Sequence, residues 1–101
     1  MRTAVVLVGG WAHPAEQTGP AVSAMLTSLG IAPTVVEHPD ALPGVVGNQD
    51  LLVIHGCFFQ MLDERYTAEQ RAQFGYVSTP ELRTCIADWV AAGRPLLAMH
   101  T

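Results

Sequence analysis

Five consecutive apolar residues, Ala4 to Val8 (AVVLV), stand before a glycine pair with no polar position among them. A short run without alternation is the pattern of a β-strand covered on both faces. Three further stretches repeat it: Thr34 to Val36, Leu51 to Ile54 after Asp50, and Pro95 to Met99. Between these runs the period changes. Val22, Met25, Leu26 and Leu29 fall at i, i+3, i+4 and i+7, and Gly30 follows at the C-cap place. That spacing predicts a helix near 20–29, with Pro20 in its first turn or kinking it. Leu82, Ile86, Trp89 and Val90 line one face of a second helix over 80–92, which Gly93 closes. Ser78 or Thr79 opens it, and Ser78 with Glu81 has capping-box spacing. The stretch PDALPGVVGNQ, with two prolines and two glycines, reads as a weak helix or an irregular crossover. Residues 57–78 read as a helical excursion over the sheet edge, in which Thr67 and Gln70 offer a capping box.

Strand, helix, strand, crossover, strand, helix, strand is the alternation of an α/β protein with a parallel sheet and right-handed crossovers. The expected strand order is 2-1-3-4, the opening of a flavodoxin-like three-layer sandwich. In such a sheet the fourth strand is seldom the last, so the chain is expected to be the N-terminal part of a larger domain.

Composition narrows the function classes. The chain has 101 residues, half of them hydrophobic, which is one domain with enough apolar surface for a core. Net charge is −4, and the basic residues Arg2, Arg65, Arg71, Arg83 and Arg94 are scattered. No basic stripe exists to neutralise phosphates, so nucleic acid and anionic membrane are excluded as partners. The apolar run at Ala4 to Val8 is too short for a signal-peptide core or a membrane span, and a cytoplasmic protein is expected. Cys57 and Cys85 lack CxxC spacing and are read as reduced, Cys85 as a small buried hydrophobe.

All four histidines stand just past the carboxyl end of a predicted strand: His13, His38, His55 and His100. Open α/β sheets bind ligands outside those ends. The order 2-1-3-4 sets strands one, three and four side by side, so His13, His55 and His100 are expected around one crevice, with His38 a bystander on the outer strand. Imidazole there can ligate a metal, move a proton near neutral pH or hydrogen-bond a polar ligand, and spacing does not choose among the three. A divalent metal, zinc above all, would use His13, His55 and His100, although zinc wants three or four ligands and no carboxylate is assured. Gly9 and Gly10 permit close approach of a ligand to the backbone or serve only to turn the chain. GGWAH is not GxGxxG, which rejects a dinucleotide site. The tripeptide HGC at 55–57 reads as a small nest of backbone amides for an oxyanion.

With GGWAH after the first strand, DLLVIHG at the third and AAGRPLLAMHT at the fourth, the chain resembles the ThuA-like trehalose-utilisation family of the class I glutamine-amidotransferase-like superfamily. The resemblance covers the whole chain but only the N-terminal part of that family's domain. Its motifs are short. GRPLLAMHT is similar to the segment that leads into the nucleophile elbow of true amidotransferases, with His100 where their cysteine falls. Imidazole cannot replace a thiolate that forms a thioester, so no glutaminase activity is expected. The superfamily's oxyanion-hole glycines would fall near His55 and Gly56. The resemblance implies a carbohydrate-metabolism protein acting on a sugar or keto-sugar in a His-lined pocket. Within it His13, His55 and His100 carry the chemistry, while Gly9, Gly10, Trp11, Gly56 and Cys57 contact the ligand. The competing expectations are a non-catalytic ligand-sensing or interaction domain, and a cysteine hydrolase in which Cys57 is reached by His55 or His100. The fourth strand would expose apolar residues that a missing part should cover, so the fragment alone is expected to be poorly soluble or oligomeric, with a homo-oligomer the expected assembly.

Overall fold

A computed structural model describes residues 1–99; His100, one of the three expected site histidines, lies outside the described residues. The described residues form an all-parallel sheet of β1 (Arg2–Gly10), β2 (Ile31–Val36), β3 (Leu51–Cys57) and β4 (Leu96–Ala98). Its order is β2-β1-β3-β4, the α/β arrangement expected of the alternation, consistent with a flavodoxin-like fold. β1 is central and pairs with β2 through Val6 opposite Val35 and with β3 through Val6 opposite Val53. Pro33 has no amide proton for the ladder and is tolerated because β2 is an edge strand.

The alternation of side chains along β1 divides the core in two. Ala4, Val6 and Val8 point to one face and meet Val22 and Leu26 of α1 (Ala15–Ser28). Val5 and Leu7 point to the other, where they meet Leu42 of α2 (Leu42–Val45) and Leu82 and Trp89 of α4 (Pro80–Ala91). Two buried faces explain why β1 carries no polar residue between Ala4 and Val8. The remaining helix is α3 (Ala68–Phe74), which lies within the excursion between β3 and α4.

Several boundaries differ from the expected ones. α1 begins at Ala15, so Pro20 sits in its second turn. Val22 and Leu26 are buried, while Met25 and Leu29 are exposed. The buried stripe runs through Gly19 instead, which faces Val8 and Val35. Thr79, not Ser78, caps α4: its hydroxyl accepts from the Leu82 amide at 3.1 Å, while Arg83 donates to the Ser78 carbonyl at 2.6 Å. The crossover after β2 contains a 3-10 turn at Pro39–Ala41 and the single turn of α2, held to the core by fully buried Leu42. The Thr67–Gln70 capping box of α3 is complete in both directions.

Candidate functional site

Strands β1 and β3 run further than their apolar cores. Val8 lies opposite His55, Gly9 opposite Gly56 and Gly10 opposite Cys57. The tripeptide HGC is therefore a continuation of the paired strand, not an open nest of amides; the Cys57 carbonyl accepts from the Trp11 amide at 2.9 Å and closes the strand end. The glycines here have a packing reason. Gly9 and Gly10 have φ of 109° and 81°, and a side chain on Gly10 would run into the Cys57 carbonyl. The Phe58 ring lies across Gly9, Gly10 and Gly56, in the space that their missing side chains leave.

His13 and His55 come together. Their rings meet edge to face with centroids 5.4 Å apart, His13 from the loop before α1 and His55 from β3. His13 is buried, and its Nδ1 donates to the Trp11 carbonyl at 2.8 Å, since a carbonyl can only accept. The Nδ1 of His55 is buried and has no hydrogen-bond partner among the described residues. A buried polar atom in that position is a place for a ligand, a water or a proton to be held. Two imidazoles do not complete a zinc site, and among the described residues no group of three metal-binding side chains occurs.

A cavity of about 520 Å³ opens beside His13, at the carboxyl ends of β1 and β2. Gly9 and Gly10 form its floor together with the first residues of α1, and Glu37 and His38 close it from the end of β2. The excursion supplies the third wall through Phe58, Phe74 and Tyr76. Gly9, Gly10 and His13 thus stand on the cavity wall, whereas Trp11, His55, Gly56 and Cys57 are not among its lining residues. Trp11 packs instead under the excursion, edge to face with Tyr66 and Phe74 at 5.4 and 5.6 Å. His38, read from the sequence as a bystander, lines the cavity.

His38 is held by a local motif. Its Nδ1 accepts from the Asp40 amide at 3.2 Å, which caps the 3-10 turn, and its ring meets Tyr76 at 5.5 Å. The Tyr76 hydroxyl donates to the Asp40 carboxylate at 2.6 Å. Burial, and then that carboxylate, push the Tyr76 phenol above its ordinary value of 10.0, so it is a neutral donor at the cavity wall. The turn after β2 was readable from Glu37-His38-Pro39-Asp40, in which a proline opens it, but histidine is not among the usual capping residues and its cap shows only in the structure. The Tyr76–Asp40 bond joins positions 36 apart and has no local signal.

A second, more open groove runs between α2 and α4, past Cys85, Asp88 and Trp89. Its one cationic side chain is already committed: Arg94 stacks over Trp89 at 3.6 Å and donates to the carbonyls of Gly47 and Gln49, each at 2.7 Å. Burial, first among the causes, raises the Cys85 thiol above its ordinary range, which opposes thiolate chemistry there. The cavity at the strand ends is therefore the better candidate site. Comparison with protein-family models, with curated proteins and with solved structures finds no match.

Proposed function

We propose that the chain is a carbohydrate-binding α/β protein of the trehalose-utilisation type, acting on a sugar or keto-sugar in the cavity at the carboxyl ends of β1 and β2. The observation that carries the reading is His13 on the wall of a cavity of about 520 Å³, its ring against that of His55, whose buried Nδ1 has no hydrogen-bond partner among the described residues. That volume suits a small polar ligand, and apolar walls with a few convergent polar groups are what such sites consist of. His13 would move a proton or orient a hydroxyl, with the His55 ring packed against it from behind the wall, and His38 with neutral Tyr76 would bind hydroxyls at the opposite wall. His100 belongs to the same proposal through the resemblance of its motif. A divalent metal enters it only if a group outside the described residues completes the pair.

A binding role without turnover is the second reading. It is favoured by the prior engagement of the wall groups: His13 donates to the Trp11 carbonyl, His38 accepts from the Asp40 amide and Tyr76 donates to the Asp40 carboxylate. A cytoplasmic setting and a homo-oligomer complete the proposal. Leu96 and Leu97 on the edge strand β4 are 40% and 42% exposed, and sedimentation velocity would show association as a species heavier than 10.8 kDa. No helix among the described residues is long and apolar enough to cross a membrane.

The deciding experiment is calorimetric titration with unphosphorylated mono- and disaccharides and their keto forms, followed by product analysis. Binding that His13→Ala abolishes and His55→Ala, which removes the ring packed against His13, only weakens, in variants with the parental circular dichroism, is the expected result. Turnover selects the enzyme and binding alone the sensor. Failure of every sugar to bind at millimolar concentration would sink the proposal.

A further inference from the structure

The charge on the cavity wall narrows the ligand beyond the word sugar. Two carboxylates, Glu16 and Glu37, line the cavity together with the three aromatic rings of Phe58, Phe74 and Tyr76, and no arginine lines it. Lysine is absent from the whole sequence. The arginines are engaged or distant: Arg71 donates to the carbonyls of Met61 and Tyr66, and Arg83 donates to Ser78. Arg94 donates to Gly47 and Gln49, Arg65 lies by Asp63 and Tyr66, and Arg2 stands at the amino end of β1, opposite the cavity. The N-terminus of α1 contributes a partial positive charge at the floor, but Glu16 in its own first turn already answers it. Glu37 then adds an uncompensated negative charge.

An anionic ligand would meet two carboxylates with no lysine or arginine among the described lining residues to offset them. A cationic group would meet carboxylates that attract it and a wall that includes three aromatic side chains, which can add cation–π attraction. Neither His13 nor His38 reverses this while neutral. Each Nδ1 already serves the backbone, His13 toward the Trp11 carbonyl and His38 toward the Asp40 amide.

We infer that the cavity selects a ligand bearing a cationic nitrogen, an amino sugar in the terms of the reading above, and rejects phosphorylated sugars. The location rests on the proposed function; the charge preference rests on the wall. The carboxylates are exposed, so the gain is moderate: an exposed ion pair plus one cation–π contact amounts to about tenfold in affinity.

The test is calorimetric titration with glucosamine, glucose, glucose 6-phosphate and tetramethylammonium, at a pH where the amine is protonated. Glucosamine should bind about tenfold tighter than glucose, and glucose 6-phosphate more weakly than either. Glu37→Gln, an exposed change with the parental circular dichroism as its control, should reduce the ratio of glucosamine to glucose affinity several-fold. Equal binding of glucose and glucosamine, tighter binding of the phosphate, or an unaltered preference in Glu37→Gln overturns the inference and leaves the sugar reading standing. Tetramethylammonium bound where no sugar binds sustains the cationic preference and removes the sugar reading. If no probe binds at millimolar concentration, both fall.

Discussion

At the scale of the residue, Gly10 shows how a position that looks made for a ligand is occupied by packing. Its φ of 81° lies where side chains are strained, and a methyl group would meet the Cys57 carbonyl and the Phe58 ring. Gly30 has a similar φ of 77° but no atom within 4 Å of the place a side chain would take. The two substitutions therefore separate strain from collision. Gly10→Ala is expected to cost about 2–3 kcal/mol in denaturant unfolding, and Gly30→Ala about 1 kcal/mol. Equal losses would show that Cys57 and Phe58 move aside freely, and that the floor of the cavity is less rigid than its geometry implies.

At the scale of the element, α4 depends on its first turn. The Thr79 hydroxyl caps it, and the helix delivers Leu82 and Trp89 to the core beneath. Trp89 also donates its ring N–H to the Pro95 carbonyl at 2.9 Å, which ties the helix to the start of β4. Thr79→Ala should lower stability by about 1 kcal/mol in denaturant unfolding, since the Leu82 amide loses its acceptor. Ser78→Ala should cost less, because Ser78 holds the Arg83 side chain and not the helix end. Both residues stand before Pro80 with a capping hydroxyl, so local sequence alone did not choose between them.

At the scale of the whole molecule, the absence of lysine leaves few groups to titrate in alkali: the amino terminus, two cysteines and two tyrosines. Tyr76 ionises at a higher pH in the folded protein than in the unfolded chain, because burial and Asp40 disfavour the phenolate. The stability it contributes is fully present below pH 10.0, its ordinary value, and is lost as pH rises through the raised folded value. Chemical unfolding across that range should show stability falling, and Tyr76→Phe should flatten the fall. In the same variant, the phenolate absorbance transition at the higher pH should disappear. A wild-type profile that stays level beyond pH 10.0 would contradict this account.

The sequence by itself determined the α/β alternation, the parallel order and the two-sided burial of β1, because strand and helix periods are local and the crossover rule is nearly absolute. It also brought His13 and His55 to neighbouring strand ends, which follows from order alone. Only the tertiary structure decided which side of His13 the cavity lies on. The excursion at 57–78 carries Phe58, Phe74 and Tyr76 over the β1–β2 end, through contacts such as the Tyr76 amide to the Phe59 carbonyl at 2.8 Å. That fold-back turned His38 from an expected bystander into a wall residue and left His55 behind the wall. Irregular chain is placed by long-range packing and single hydrogen bonds, which leave no period in the sequence to read.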